Sequence, residues 1–311
     1  MPGTNKPKVL KMPDPASPND PALLRIDGAV ATITLNRPAA FNAIDLTIAR
    51  KLEQLSAEIE ANKDVRVLVI EGEGRAFCAG GDLQTIGAAA EANNIAPVVG
   101  EMLHHYHAFI ETVRRMPKIV LSSVHGSAAG AGMGLAFVTD LCIAADDARF
   151  TPAYAKIGVS PDGGSTVGIV GTVGTRRALQ IFLAEDGFTA QQAYEWGLVV
   201  KTVPATELKA ATRQLAERLA KNPPAAPLST IFRKTCSSTS STTIRDRVQC
   251  EAEHSAVTRC DVPRRMLALQ PAREHITLNQ HCRCFAGTRC TVTSPYISAN
   301  RSRHSLKRRA K

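Results

Sequence analysis

The feature that most constrains the fold of this chain is a regular alternation of short apolar runs with longer amphipathic stretches. Runs rich in Val, Ile and Leu predict strands, and runs that are apolar throughout are typical of strands buried on both faces. Four such runs stand out, at residues 29–35, 65–70, 119–124 and 141–145. Because the stretches between them are long enough for crossover helices, the sequence predicts an α/β domain built around a parallel sheet.

The helices between these strands carry recognisable start and stop signals. Asp45 stands where an N-cap belongs, and the apolar residues at 48, 52, 55 and 59 share one face of the helix that follows. A second long helix is predicted over 98–116. Residues 189–192 have the spacing of a capping box, ahead of a helix that stops at Gly197.

Two loops rich in Gly and Ala follow buried strands directly, at residues 76–83 and 125–134. The second loop opens a short helix, which we predict over 135–140. Small residues let a ligand approach the backbone, whose N–H groups then become hydrogen-bond donors. Two such groups aimed at one oxygen make an oxyanion hole, and a helix N-terminus adds a favourable dipole. Tight packing turns explain the composition of the loops equally well.

The net charge of +10 is concentrated at the C-terminal end of the sequence. Residues 262–311 hold eleven basic residues and one acidic residue, which leaves residues 1–261 neutral. A neutral body argues against nucleic acid as a partner, and the tail offers only Phe285 and Tyr296 for base stacking. The tail lacks helical periodicity, so we expect it to be disordered or to arise from a reading-frame shift near Pro263. A basic tail that binds a partner is the alternative.

The N-terminal residues 1–21 hold six prolines and no apolar run, which predicts a disordered lead-in. No window approaches about eighteen uninterrupted apolar residues, so we expect no membrane span. Without a secretion signal, we expect a cytoplasmic protein. The scarcity of cysteine before residue 236, where only Cys78 and Cys142 occur, fits a reducing compartment.

Four blocks of the sequence occur in a characteristic order and spacing. They are Asn36-Arg37-Pro38 with Asn42-Ala43, the segment Phe77-Cys-Ala-Gly-Gly-Asp82, residues 126–134 with Asp140, and Glu195-Trp-Gly-Leu198 with Val203-Pro204. Together they resemble the enoyl-CoA hydratase/isomerase (crotonase) superfamily over about residues 23–261. The resemblance implies a crotonase-like spiral of repeated ββα units over 22–205 and a C-terminal helical region over 206–261. It also implies an acyl-CoA substrate, a homotrimer or dimer of trimers, and no metal or cofactor beyond the coenzyme A of the substrate.

The resemblance also assigns roles to individual residues. The backbone N–H groups of Gly81 and Ala131 take the places of the superfamily's oxyanion hole. The contacts to adenine and pantetheine fall near Arg37, Ala40, Ala79 and Leu83. The residues expected at the acyl pocket are Tyr154, Met133 and Gly134. The depth of this pocket would depend on the segment 87–98, which we interpret as irregular.

The acid–base residues distinguish the reactions of the superfamily. Hydration of an enoyl-CoA uses two carboxylates, which position a water molecule and return its proton. In this sequence Gly134 and Tyr154 take their places, so the pattern disfavours a hydratase. Asp162 lies where isomerases of the superfamily have a catalytic aspartate. Residues 150–166 are similar to isomerases that rearrange an epoxyphenylacetyl-CoA and to those that move the double bond of an enoyl-CoA.

One carboxylate is enough for isomerisation, because the same group can remove a proton and return it two carbons away. Pro161 and small or apolar neighbours would desolvate Asp162 and make it a better base. Pro-Asp-Gly is also a common β-turn sequence, which explains Asp162 as a turn residue. The leading hypothesis is therefore an acyl-CoA isomerase. The alternatives are an enoyl-CoA hydratase or acyl-CoA hydrolase with water held by Asp162 and Tyr154, and a non-catalytic acyl-CoA- or RNA-binding homologue.

Other chemically capable side chains have simpler explanations. His104 and His107 fall on one predicted helix without a carboxylate or thiol at ligand spacing, so we expect no metal site. Cys78 has no nearby base and is interpreted as a small buried filler. His125 is interpreted as a packed histidine, and Asp82 as a helix cap.

Overall fold

The computed structural model describes residue 17 and residues 19–222. Most of the lead-in predicted over 1–21 lies outside these residues. The tail over 262–311 also lies outside them, as does the C-terminal helical region from 223 to 261. The expectations for those segments stay predictions.

Nine strands and eight α-helices lie within the described residues. The strands are β1 (Ala22–Asp27), β2 (Val30–Leu35), β3 (Val67–Gly72), β4 (Ile119–Val124), β5 (Ser127–Ala129), β6 (Leu141–Ala145), β7 (Arg149–Thr151), β8 (Phe188–Thr189) and β9 (Lys201–Val203). The helices are α1 (Leu46–Ala61), α2 (Leu83–Glu91), α3 (Ile95–Arg115), α4 (Ala131–Val138), α5 (Tyr154–Ile157), α6 (Ser165–Leu183), α7 (Ala190–Glu195) and α8 (Leu208–Ala220). None of these helices combines the length and apolar character that crossing a membrane requires.

The strands form two sheets, and from β4 to β7 successive strands alternate between them. The larger sheet has the order β1-β2-β3-β4-β6-β9, and the smaller one has the order β5-β7-β8. In the larger sheet β1 and β2 are antiparallel neighbours, and all other pairs are parallel. The chain passes from β4 to β5 and then α4, and from β6 to β7 and then α5 and α6. This repetition of ββα units confirms the predicted α/β spiral.

The larger sheet is covered on both faces, which explains why its central strand β3 is apolar over residues 67–70. In β3, Val67 and Val69 pack with Ala216 of α8. Leu68 and Ile70 point to the opposite face and belong to the main core, which also contains apolar residues of α1 and α3. Because side chains alternate along a strand, both sets are buried only when each face has a partner layer.

The predicted caps of two helices are confirmed. At the start of α1, Asp45 Oδ1 accepts a hydrogen bond from the Ile48 amide at 3.0 Å. At the start of α7, the Thr189 hydroxyl accepts from the Gln192 amide at 3.1 Å, and Gln192 Oε1 accepts from the Thr189 amide at 2.9 Å. The bounds predicted for the strands β4 and β6 are also correct.

Two local predictions are wrong. The helix predicted over 135–140 is α4, which starts at Ala131, and the loop before it contains β5. The segment 87–98, interpreted as irregular, is mostly helical because α2 and α3 extend into it from both sides. Because Gly132 and Gly134 have low helix propensity, the sequence pattern did not predict the first turns of α4. Both glycines pack closely against the backbone of neighbouring loops, which leaves little space for a side chain.

His107 is a buried side chain of α3, and none of the described residues supplies a hydrogen-bond partner for its Nε2 atom. Burial, together with the neighbouring His104, lowers the pKa of His107 from its ordinary value of 6.5 to about 4. The fold therefore accepts the neutral imidazole and disfavours the cation.

We expect this histidine to make the fold less stable in weak acid. The unfolded chain binds a proton at His107 below its ordinary pKa of 6.5, and the folded chain does so only below about 4. Its contribution is therefore fully present above the unfolded pKa and is lost as the pH falls towards the folded one. From about pH 7.5 to about pH 5, this group should lower the free energy of unfolding by about 2 kcal/mol. Urea unfolding of wild type and of His107→Leu, which cannot titrate, measures the effect, and equal pH dependence of the two proteins would contradict it.

Candidate active site

The two small-residue loops meet along a short parallel bridge between Cys78 and Ala128. The Cys78 amide donates to the Ser127 carbonyl at 3.2 Å, and the Ala129 amide donates to the Cys78 carbonyl at 2.9 Å. The loops follow β3 and β4, which are parallel neighbours, so the order of the sheet brings them to one edge. The bridge then fixes their relative position.

Two glycines allow the loop backbones to approach this closely. A Cβ atom at Gly132 would lie 2.2 Å from the Cys78 carbonyl oxygen, far inside van der Waals contact. A Cβ atom at Gly80 would lie 2.7 Å from the Ala129 carbonyl oxygen. Gly80 also has a φ of +91°, which residues with side chains rarely adopt. Glycine is therefore required at both positions.

Gly81 and Ala131 line a common cavity beside this contact. Within residues 19–222, neither of their N–H groups donates to a protein acceptor, whereas the adjacent amides of Asp82 and Gly130 donate to carbonyls. A Cβ atom at Gly80 would lie 3.4 Å from the Ala131 nitrogen, so the two loops bring these groups into one small region. Ala131 opens α4, and the helix dipole adds positive potential at its amide.

The cavity has a volume of about 130 Å³ and a mostly apolar wall. Among the described residues that line it, Asp162 is the only carboxylate and Tyr106 and Tyr154 are the only phenols. The large apolar side chains of the wall are Ile44, Leu83, Ile86, Val99, Met102, Leu103, Ile157 and Val159. A larger cavity of about 440 Å³ lies elsewhere and contains none of the residues that the resemblance assigns to the site. The smaller cavity is therefore the candidate active site.

The backbone of Asp162 is held by three hydrogen bonds. Its carbonyl accepts from the Tyr154 hydroxyl at 3.2 Å, from the Ser165 hydroxyl at 2.7 Å and from the Ser165 amide at 3.1 Å. Gly163 and Gly164 follow with φ values of +61° and +80°, which glycine adopts without strain. Asp162 is thus a turn residue, at the start of a turn that the Ser165 amide closes around Gly163 and Gly164, and it is half-buried in the cavity wall. The turn interpretation and a place in the site are thus compatible.

The two phenols beside Asp162 are neutral. Burial raises the pKa of Tyr106 and of Tyr154 well above the usual tyrosine range. The carboxylate of Asp162 raises both pKa values further, because it repels a second negative charge. At physiological pH both hydroxyls therefore act as hydrogen-bond donors and not as bases.

Arg37 links the caps of two helices. Its guanidinium lies 3.0 Å from Asp45 Oδ2 and 3.1 Å from Asp82 Oδ2. Asp45 caps α1, and Asp82 caps α2, which confirms the interpretation of Asp82. Burial opposes ionisation of Asp82, but the hydrogen bond from the Thr85 amide and the Arg37 guanidinium outweigh it and lower the pKa of Asp82. This network fixes the start of α2 beside the cavity.

Of the other residues that the resemblance assigns to the site, some line the cavity and some lie outside it. Ala79 and Leu83 line the cavity, and Leu83 is 63% exposed. Ala40 lies in a 3₁₀ turn, Pro38–Ala40, outside the lining. Met133 and Gly134 lie in the protein interior beside the cavity and do not line it, because α4 directs both into the core.

Gly134 packs directly against the loop that carries Asp162. A Cβ atom at Gly134 would lie 3.0 Å from the Gly163 carbonyl oxygen and 3.3 Å from the Asp162 carbonyl oxygen. A longer side chain would displace this loop. The position that the resemblance assigns to the first carboxylate of a hydratase therefore holds a residue without a side chain, tightly packed against the Asp162 loop.

The weaker candidates have structural roles. The Cys78 thiol is fully buried and donates to the Asn42 carbonyl, and burial raises the pKa of Cys78 to about 12. It is therefore a buried filler, as interpreted from the sequence. His125 Nε2 lies 3.0 Å from the Gly74 carbonyl oxygen. In the part of the chain that the structure describes, no group of three or more His, Cys, Asp or Glu side chains is placed to hold a metal ion.

Tyr106 is the site residue that sequence interpretation missed. Its side chain is 1% exposed, and its hydroxyl donates to the Ala131 carbonyl at 3.0 Å. The only sequence signal was its place on the apolar face of α3, together with Leu103, Phe109 and Ile110. Helical periodicity identifies a buried face but not the loop that this face meets.

Comparison with known proteins identifies the family. Residues 25–259 match the family model described as enoyl-CoA hydratase/isomerase. The 1,2-epoxyphenylacetyl-CoA isomerase of Escherichia coli (strain K12) is 34% identical over 202 residues, which are 65% of this chain and 76% of that protein. A probable enoyl-CoA hydratase of Rhodobacter capsulatus is 37% identical over 201 residues, with the same two coverages of 65% and 76%.

The fold agrees with this match. The crystal structure of an enoyl-CoA hydratase from Mycobacterium avium subsp. paratuberculosis K-10 superimposes with a TM-score of 0.67 at 25% identity, covering 78% of this chain and 95% of that chain. The spiral described above is therefore the crotonase fold. The chain belongs to the enoyl-CoA hydratase/isomerase family, whose enzymes act on acyl-CoA substrates.

We expect Gly132→Ala to disrupt the contact between the two loops, because its Cβ atom would overlap the Cys78 carbonyl oxygen. The obstructing atom is backbone and cannot rotate away, so the free energy of unfolding should fall by roughly 3 kcal/mol. Gly100→Ala is the matched control, because Gly100 lies in α3 with no atom within 4 Å of an added Cβ. The control should gain up to about 1 kcal/mol from helix propensity. Urea unfolding compares the variants, and equal stability of the two would contradict the packing argument.

Proposed function

We propose that this protein is an acyl-CoA isomerase that moves a double bond, or rearranges a ring, through a thioester enolate. For a double bond, a base removes a proton from the carbon between the thioester carbonyl and the alkene. The electron pair left behind is delocalised onto the carbonyl oxygen. The same group then returns the proton two carbons away, which restores the carbonyl and leaves the double bond conjugated with it.

The residues of the cavity match the three requirements of this reaction. The N–H groups of Gly81 and Ala131 bind the enolate oxygen, and such donors typically contribute about 3 kcal/mol each to transition-state stabilisation. Asp162 is the proton carrier, first as base and then as acid. The apolar wall excludes water from the acyl group and strengthens the hydrogen bonds to the enolate.

The observation that carries the proposal is a cavity where the described lining has one carboxylate and two amides without an acceptor within residues 19–222. Hydration requires a second acid–base group to deliver and protonate water. Gly134 supplies no carboxylate, and the Tyr154 hydroxyl is bonded to the Asp162 carbonyl. The names of the relatives do not choose between the reactions, since one is an isomerase and another a probable hydratase.

The same geometry suggests where the coenzyme A portion lies. Ala79 and the exposed Leu83 extend the cavity wall, and we place the pantetheine arm along them. Arg37 is already paired with Asp45 and Asp82. Its role in this proposal is therefore to order the chain around Ala79 and Leu83, and not to form an ion pair with a phosphate. Ala40 follows Arg37 in the adjacent 3₁₀ turn and would contact the adenosine end.

We expect Asp162→Asn to abolish isomerisation while leaving acyl-CoA binding intact, because the amide has the same shape but cannot carry the proton. Turnover should fall roughly 1000-fold or more, as is typical when a general base is lost. The affinity for butyryl-CoA, measured by calorimetry, should change less than about twofold. Asp186→Asn is the matched control, because the Asp186 side chain is 93% exposed and pairs only with Lys156 among the described residues.

The assay uses a panel of straight-chain and ring-bearing 3-enoyl-CoA thioesters and follows the absorbance of the conjugated product. Turnover by Asp162→Asn equal to that of the Asp186→Asn control would contradict the role of Asp162. Formation of a 3-hydroxyacyl-CoA by wild type from the matching 2-enoyl-CoA thioesters, with the 3-enoyl-CoA thioesters left unchanged, would favour the hydratase alternative. Release of free coenzyme A would favour the hydrolase alternative.

A further inference from the structure

Tyr106 contacts both loops that carry the proposed chemistry. Its hydroxyl donates to the carbonyl of Ala131, the residue whose amide lines the cavity. Its ring packs against Gly163, the residue that follows Asp162, so closely that a Cβ atom there would lie 2.9 Å from Tyr106 Cε1. Tyr106 belongs to α3, a long helix of the main core, and therefore presents a rigid surface to two loops.

The hydroxyl of Tyr106 limits the rotation of Ala131. Ala131 is the first residue of α4, where the backbone lacks the full set of helical hydrogen bonds. The bond from the phenol holds the peptide plane that follows Ala131, and the helical φ and ψ of Ala131 relate this plane to the one that carries its N–H group. The pKa of Tyr106 is raised by burial, so the hydroxyl remains a donor whenever the fold is intact.

The ring of Tyr106 limits the movement of the Asp162 loop from the same side. Gly163 has a φ of +61° and no side chain, and the ring occupies the space that a side chain would fill. A second phenol, Tyr154, holds the Asp162 carbonyl itself. Tyr106 is the one of the two that also bonds to the loop of Ala131.

We propose that Tyr106 is a positioning residue that fixes the Ala131 amide relative to the Asp162 carboxylate. This inference rests on the proposed isomerase function. The enolate oxygen and the moving proton belong to one substrate, so the two protein groups must keep one separation through both proton transfers. A displacement of about 1 Å at such a contact can lower turnover roughly 100-fold.

Tyr106→Phe keeps the ring and its contact with Gly163 and removes only the hydroxyl. We expect kcat for isomerisation to fall roughly 10- to 100-fold while KM changes less than about twofold. Tyr194→Phe is the matched control, because Tyr194 is 49% exposed and does not line the cavity, and its kcat should equal that of wild type. Replacement of Tyr106 by 3-fluorotyrosine keeps the hydroxyl and should restore kcat.

A second readout does not depend on turnover. The infrared difference spectrum of bound butyryl-CoA, labelled with heavy carbon at the thioester carbonyl, reports the hydrogen bonds to that oxygen. In wild type and in Tyr194→Phe, we expect binding to shift the carbonyl band to lower frequency. In Tyr106→Phe, the band should return part of the way to its position in free butyryl-CoA.

The outcomes separate this inference from the proposed function. Wild-type kcat together with an unchanged carbonyl band in folded Tyr106→Phe would overturn the positioning role. A kcat that 3-fluorotyrosine fails to restore would also overturn it, because the hydroxyl is then not the group responsible. If wild type forms no isomer at all, the proposed function fails, and the carbonyl band alone decides whether Tyr106 holds the amide that binds the thioester oxygen.

Discussion

The close backbone contact between the two small-residue loops is the constraint on which the rest of the site depends. Adjacent parallel strands deliver the loops to one edge of the sheet, and the bridge between Cys78 and Ala128 fixes their separation. Gly132 makes this possible, because any side chain there would collide with a backbone oxygen. With this contact in place, Gly81 and Ala131 line the cavity, and neither amide has a protein acceptor within residues 19–222. In the proposed reaction, these two amides would donate to the thioester oxygen.

The described wall of the cavity contains one charged side chain, that of Asp162. Arg37 is paired with Asp45 and Asp82, and both phenols stay protonated because burial raises their pKa. Asp162 is therefore the only charged side chain among the described residues of the wall. In the proposed reaction, the proton would change place and the negative charge would pass between Asp162 and the substrate oxygen, to which the two amides would donate.

Much of this arrangement follows from local sequence, and the rest depends on tertiary contacts. The caps at Asp45 and Asp82 and the strands β4 and β6 follow from propensity and spacing, and the position of Asp162 follows from the family resemblance. The helical start at Ala131 could not be predicted from the local sequence, because the glycines that close packing requires there are poor helix formers. The position of Tyr106 beside the site could not be predicted either, since an aromatic residue on an apolar helix face does not indicate which loop it contacts.

The most direct test of the central claim, a single-carboxylate isomerase, is the mass of the product formed from a 3-enoyl-CoA in water enriched in heavy oxygen. One proton carrier and two amide donors move a double bond without adding water, so the product should be a 2-enoyl-CoA with no heavy oxygen. No 2-enoyl-CoA from this substrate, together with a 3-hydroxyacyl-CoA carrying heavy oxygen on its β-carbon when the matching 2-enoyl-CoA is supplied instead, would contradict this account. A free acid with heavy oxygen in its carboxyl group would contradict it as well.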